Sequence, residues 1–215
     1  MNKRNYQKEL DRVIEQNQRD GKTPKLLLHV CCAPCSSYCL EYLSKYFEIT
    51  VYYYNPNISI KEEYEHRLNE EKRLVSQMPF KNPVNVIEGR YEPSEFFEAV
   101  KGLEHEPEGG KRCEKCFELR LSSSAELAAK LGFDYFTTTL TISPLKNADL
   151  LNTIGAEQAQ KHGVSWLYSD FKKREGYKRS IELSREYDLY RQNYCGCVFS
   201  KKLSLIDNLR CCPNL

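Results

Sequence analysis

The chain has 215 residues, 40% hydrophobic and 29% charged. It is long enough to bury a substantial core, and the composition is that of an ordinary soluble domain. A formal charge of only +2 gives no bulk argument for nucleic acid and leaves room only for a local basic face. No run of about 18 apolar residues occurs, and residues 1–20 lack the apolar core of a signal peptide. The expectation is a cytoplasmic protein, neither exported nor membrane-spanning.

Taken in chain order, residues 3–19 predict a helix that ends near Asp20-Gly21. Residues 26–30 form a short apolar run with Leu27, Leu28 and Val30, the pattern of a buried strand. The loop Cys31-Cys32-Ala33-Pro34-Cys35 follows, and Ser36 or Ser37 is expected to cap a helix reaching about Tyr46. Residues 47–54, rich in β-branched and aromatic side chains, predict a second strand. This order is a βαβ unit, so the two strands should be parallel. A polar helix over 60–77, a third strand over 84–88 and a short helix over 93–100 come next, then a loop over 102–111. Residues 112–131 predict a helix with Cys113 and Cys116 near its start, and 135–140 a strand. A helix over 147–162 should stop at Gly163, and 164–168 predict a last strand. The remainder, 170–210, reads as helical and polar, broken at Tyr194-Cys195-Gly196-Cys197.

Ten cysteines are unusual for a reducing compartment, where clustered thiols bind metal or do redox chemistry rather than staple the fold. They bunch: Cys31, Cys32, Cys35 and Cys39, then Cys113 and Cys116, Cys195 and Cys197, and Cys211 and Cys212. The first group directly follows the first strand. In an open α/β sheet that is where ligands bind. Cys113 and Cys116, three apart at a helix start, share a face, and a helix N-terminus favours thiolate over thiol. Two loops giving two sulfurs each make a four-thiolate site, which either a zinc ion or a [4Fe–4S] cluster accepts. Adjacent Cys31-Cys32 is not the usual zinc-knuckle spacing, and the site occupies the substrate crevice; both features favour the cluster. Cys39 reads as core, and Cys211 and Cys212 are unassigned.

Cys195 and Cys197 could close only a tight ring, which Gly196 would permit and which would be readily reduced; the plainer reading is two buried free thiols. His29 reads as a satisfied core histidine, and His66, His105 and His162 show no metal-like pairing. Between residues 170 and 194, seven cations interleave with five acids and with Phe171, Tyr177, Tyr187, Tyr190 and Tyr194. Cations for phosphates and rings for bases suit RNA, although a solvated helical face has the same composition. No Walker loop, GxGxxG or SGG-x-DS-like pyrophosphate loop is present.

The words Val-Cys-Cys-Ala-Pro-Cys-Ser at 30–36, Tyr-Asn-Pro-Asn-Ile at 54–58, Arg-Cys-Glu-Lys-Cys-Phe at 112–117, Thr-Thr-Thr-Leu-Thr-Ile-Ser-Pro at 137–144, Asp-Phe-Lys-Lys at 170–173 and Tyr-Cys-Gly-Cys at 194–197 occur in this order. Together they resemble the QueH family of epoxyqueuosine reductases, over about residues 25–200. The resemblance implies reduction of epoxyqueuosine to queuosine at the wobble position of tRNA, the last step of queuosine biosynthesis. It implies a [4Fe–4S] cluster on Cys31, Cys32, Cys113 and Cys116 and a redox-active disulfide between Cys195 and Cys197. An additional iron ion is associated with the family, with Cys35 and Asp170 as candidate neighbours. The partners expected are tRNA carrying epoxyqueuosine and an unidentified electron donor, and Tyr54, Asp170 and Tyr194 are candidate proton donors. The rival functions are a cluster-dependent tRNA sulfurtransferase, which would use ATP, and a zinc-stabilised RNA-binding module. The fold expected is one α/β domain over 1–215: a Rossmann-like, mainly parallel sheet flanked by helices, with an N-terminal helical extension (1–24) and a helical C-terminal part (170–215).

Overall fold

The structure, a computed structural model, describes residues 4–201. Its centre is β1 (Lys25–His29), whose Leu26, Leu27 and Leu28 are all fully buried. A strand apolar on both faces needs cover on both, which is the condition of a parallel sheet. β1 pairs in parallel with β2 (Glu48–Tyr53) on one side and β4 (Tyr135–Thr138) on the other; β3 (Val84–Glu88) and β5 (Ser165–Trp166) complete the order β3-β2-β1-β4-β5. All pairings are parallel, as the βαβ pattern requires.

Alternate residues of β1 feed two cores. Leu26, Leu28 and Val30 pack with Leu10 and Ile14 of α1 (Tyr6–Arg19), Leu40 and Leu43 of α2 (Ala33–Leu43) and Leu183 of α7 (Gly176–Glu186). Leu27 faces the opposite side, against Leu121 and Ala125 of α5 (Lys111–Lys130) and Leu151 and Ile154 of α6 (Ala148–His162). Two further helices complete the layer: α3 (Lys61–Gln77) packs on the edge strand β3 and on α2, and α4 (Pro93–Ala99) packs on α5. The N-terminal helix is thus built into the main core by two leucine-spaced apolar side chains. Among the described residues no helix is long and apolar enough to cross a membrane.

Two expectations are corrected. First, α2 begins at Ala33 rather than at Ser36. Cys32 takes the extended cap position and Pro34 falls at the start of the helix, where its missing N–H costs nothing. Ser36 and Ser37 instead turn their hydroxyls back to the carbonyls of Ala33 and Pro34. Second, 170–210 is not one helical segment. Arg174 and Glu175 before α7 and Asp188 after it adopt left-handed backbone (φ 55°, 57° and 47°), which an α-helix cannot contain. After α7 the chain runs without regular structure to Cys197, turning helical again only at 198–201. Cys211 and Cys212 lie outside the described residues.

Candidate metal and redox centre

The order of strands reverses at β1, between β2 and β4, and the loops leaving β1 and β4 form the crevice where such sheets bind ligands. Cys31 and Cys32 lie on the first of these loops; a short 3₁₀ turn over Thr139–Ile142 follows β4. Cys31 Sγ and Cys32 Sγ are 3.8 Å apart. With Cys35, in the first turn of α2, they form a trio whose sulfurs all lie within 4.8 Å of one another. Tetrahedral thiolates around one ion, at about 2.3 Å each, stand nearly this close. Cys31 is held well below the usual thiol range, because the thiols of Cys32 and Cys35 donate to it and Arg120 and Lys146 add positive charge. The same contacts push Cys32 up to about 12 and raise Cys35. One thiolate therefore forms first and holds the other two protonated until a metal displaces the protons.

Cys113 and Cys116 sit at the start of α5, as expected, and Cys113 Sγ accepts the Gly109 backbone N–H at 3.2 Å. Burial nevertheless raises Cys113 and pushes Cys116 up to about 12, so the helix start does not prevail over desolvation here. These two thiols line a small cavity of about 90 Å³ with Cys195, Cys197, Asn57, Phe96 and Phe117. A second cavity, of about 230 Å³, is lined by Cys31, Cys32, Cys35, Arg120, Tyr194 and Cys195. Both cavities share Cys195 and Lys146. The structure thus brings Cys31 and Cys32 together with Cys35, and sets Cys113 and Cys116 beside Cys195 and Cys197 across the shared wall. Among the described residues the trio is the one group of three or more metal-ligand atoms within 4.8 Å.

Arg120 joins the two halves. Its side chain is buried in α5, with Nη1 3.9 Å from Cys116 Sγ, Nη2 donating to Asn55 Oδ1 at 2.8 Å and Nε to His29 Nε2 at 3.3 Å. Asn55 in turn donates to the carbonyl of Val30, the residue before Cys31. Burial, and then the Arg120 charge, push His29 down to about 3, so its ring is neutral. Nε2 also lies 3.2 Å from the Tyr54 carbonyl, and Nδ1 lies 2.8 Å from Thr138 Oγ1, so both ring nitrogens have partners. His29 is the satisfied core histidine expected from the sequence.

Gly196, between Cys195 and Cys197, has φ 110°, and a Cβ there would lie 2.8 Å from Ile58 Cγ1 and 3.2 Å from Arg67 Nη1. Only glycine passes without strain. Arg67, buried in α3, pairs with Glu63 at 2.6 Å, reaches the Cys195 carbonyl at 3.4 Å and lies over the Tyr194 ring. Both cysteines are free thiols, and burial pushes Cys197 up to about 11. Cys39 is in the core. Of the candidate proton donors only Tyr194 lines a sulfur-bearing cavity. Tyr54 donates to Glu95, and Asp170 pairs with Lys172 at 3.0 Å in a separate basic cleft. That cleft, of about 500 Å³, also holds Arg4, Lys146 and Lys173. Of the aromatic set, Phe171 is core, whereas Tyr177 and Tyr190 are exposed. Sequence reasoning missed Arg120, Arg67 and Lys146. Arg120 stands three residues after the cysteine word at 112–117 and Lys146 two after the word at 137–144, whereas Arg67 has no such signal.

The family model described as "Epoxyqueuosine reductase QueH" matches residues 26–203. The chain belongs to the QueH family. A relative named epoxyqueuosine reductase QueH from Staphylococcus epidermidis is 47% identical, covering 94% of this chain and 87% of its own. The Streptococcus pyogenes QueH is 46% identical over 94% and 80%. The Thermotoga maritima QueH is 38% identical over 81% and 89%.

Proposed function

We infer that this QueH-family chain is an epoxyqueuosine reductase acting on tRNA. The observation that carries the reading is the convergence of thiols from residues 31–35, 113–116 and 195–197 on two adjoining cavities at the carboxyl ends of β1 and β4. The reaction takes two electrons and two protons. Both epoxide C–O bonds break, a carbon–carbon double bond forms and the oxygen leaves as water. A tRNA substrate places the reaction in the cytoplasm.

The cluster ligands on this reading are Cys31, Cys32, Cys113 and Cys116, with Cys35 left for an additional iron ion. The donor set suits a thiolate-bound cluster. Four thiols are available, and the Gly109 amide and Arg120 offset charge at Cys113 and Cys116. When bound, a [4Fe–4S] cluster held by these four thiolates would pass single electrons. The chain's own residues position the rest. Arg120 and Asn55 fix Cys116 relative to the loop of Cys31, and Arg67 fixes the backbone of Cys195. Cys195 and Cys197 act as a dithiol that gives two electrons on closing to a disulfide and is re-reduced by an external donor.

Anaerobically prepared protein with a reductant should remove one oxygen from epoxyqueuosine in tRNA, read by mass after digestion to nucleosides. Retention of the oxygen by fully iron-loaded protein sinks the reading. A sulfur-bearing nucleoside formed with ATP and sulfide would mark a sulfurtransferase, and stoichiometric zinc a structural site. Alkylation and mass spectrometry should show a two-proton difference at Cys195 and Cys197 between oxidised and reduced protein. Full turnover by Cys197→Ser would make the pair structural.

A further inference from the structure

Lys146 lines all three cavities at this end of the sheet: the thiol trio's, the small one beside Cys113 and Cys116, and the basic cleft. Its backbone is fixed, since its N–H donates to the Ser143 carbonyl at 3.2 Å and the next residue, Asn147, caps α6 with its side chain. Its ammonium is different. Among the described residues it has neither a hydrogen-bond partner nor a carboxylate partner, and the charged groups near it are the sulfurs of Cys195, Cys31 and Cys35 and the like-charged Arg120 guanidinium. The other cations lining the two sulfur cavities are engaged. Arg120 is held by His29 and Asn55, Arg112 donates to the carbonyls of Glu104 and Glu106, and Arg191 donates to Ser184. A half-buried ammonium with no carboxylate is costly in a resting protein and calls for a ligand.

The chemistry of the reaction supplies that ligand. An epoxide oxygen gains negative charge as its first C–O bond breaks, and a preorganised donor at that oxygen lowers the barrier. Thiols are weak donors, Tyr54 and Asp170 are committed elsewhere, and Tyr194 lines the larger cavity but not the small apolar one. The small cavity beside Lys146 has apolar walls in Phe96, Phe117 and Leu150, suited to the hydrocarbon that carries the oxygen.

Resting on the epoxyqueuosine-reductase reading, we propose that Lys146 is a catalytic residue whose ammonium donates a hydrogen bond to the epoxide oxygen. The two electrons come from the Cys195–Cys197 dithiol as it closes to a disulfide, and the two protons it releases complete the leaving water molecule. Lys146 contributes charge and a hydrogen bond, and forms no covalent bond.

The test compares tRNA carrying epoxyqueuosine with tRNA carrying queuosine, which lacks only the oxygen. Affinities are measured without reductant for the iron-loaded wild type and for Lys146→Met and Lys146→Gln. The wild type should prefer the epoxide-bearing tRNA by about tenfold or more, the scale of a hydrogen bond to a charged donor. In both variants the preference should fall to near one. The single-turnover rate should drop by about 10²–10³, and iron content should stay at the wild-type level. An equal loss of affinity for both tRNAs would make Lys146 a phosphate contact and overturn the proposal. So would an unchanged preference, or loss of iron in both variants, which would make it the counter-ion of the thiolates. A wild type that never removes the oxygen sinks the enzyme reading itself. A working wild type with unaffected variants sinks only the role of Lys146.

Discussion

Arg120 Nε lies 3.3 Å from His29 Nε2, a hydrogen bond that ties the middle of α5 to the last residue of β1. One guanidinium thereby sets the helix bearing Cys113 and Cys116 against the strand that leads into Cys31. Removing it leaves the Asn55 oxygen and the Cys116 sulfur without their donor in a dry interior. Each such group costs about 1–3 kcal/mol. Arg120→Leu should therefore lower the stability of the metal-free protein by about 2–5 kcal/mol in denaturant unfolding. It should also reduce iron retention on gel filtration. Wild-type stability with wild-type iron content would show that the tie does not matter.

The ligand assignment separates two cysteines that stand close in sequence to the same loops. Cys35 belongs to the trio, whereas Cys113 lines the adjoining cavity. If the cluster uses Cys31, Cys32, Cys113 and Cys116, Cys113→Ser should lose the brown chromophore of anaerobic protein and Cys35→Ser should keep it. The reverse pattern, with one metal per chain, would place a single ion on Cys31, Cys32 and Cys35.

Glu71 gives a pH dependence of folding. Its carboxyl is fully buried in α3, with Oε2 accepting from Ser36 Oγ at 2.7 Å and Oε1 without a partner. Burial pushes it up to about 8, only partly offset by the Ser36 hydrogen bond, and the nearby Cys31 charge pushes in the same direction. The unfolded chain ionises this group near the ordinary carboxylate value, so between there and pH 8 the native state binds more protons. Its contribution is fully present at low pH and is lost as pH rises through about 8. Metal-free Glu71→Gln should be less sensitive to pH across this window in urea unfolding. An identical slope of stability against pH in both proteins would refute the assignment.

Much of the fold was legible because the pattern was unambiguous. The continuous Leu-Leu-Leu of β1 allows only a strand covered on both faces, and Gly163 at φ 72° ends α6 where the glycine stands. The start of α2 was misplaced because serine is a common cap, whereas here extended Cys32 and the following Ala33-Pro34 set the boundary. The cysteines announced the centre by bunching. Arg120, Arg67 and Lys146 did not, since a charged residue in a polar helix or loop normally meets water. Only the packing of α5 on β1 and of the Cys195 segment on α3 turns Arg120 and Arg67 inward, and only the turn between Ser143 and Lys146 brings Lys146 to the cavities.

The basic cleft locates the expected contact with tRNA more sharply than the segment 171–194 does. Lys172 is partly committed, donating to the Thr141 carbonyl at 2.7 Å and pairing with Asp170, whereas Lys173 is exposed at the same cleft. Arg4 contributes on the other wall but is bound to Glu9 at 2.6 Å. Few cations are therefore free to neutralise phosphates, and a chain charge of +2 adds little long-range pull. Binding should weaken with salt along a shallow slope, each single-strand phosphate contact adding about 0.7 to the log–log dependence. Lys173→Ala should lower affinity and flatten that slope by about one contact. The double change with Lys172→Ala should add a smaller loss, with the iron chromophore unchanged in both. A salt slope identical to that of the wild type in the double variant would move the RNA contact away from this cleft, toward the exposed Tyr177 and Arg191 at the rim of the sulfur-lined cavity.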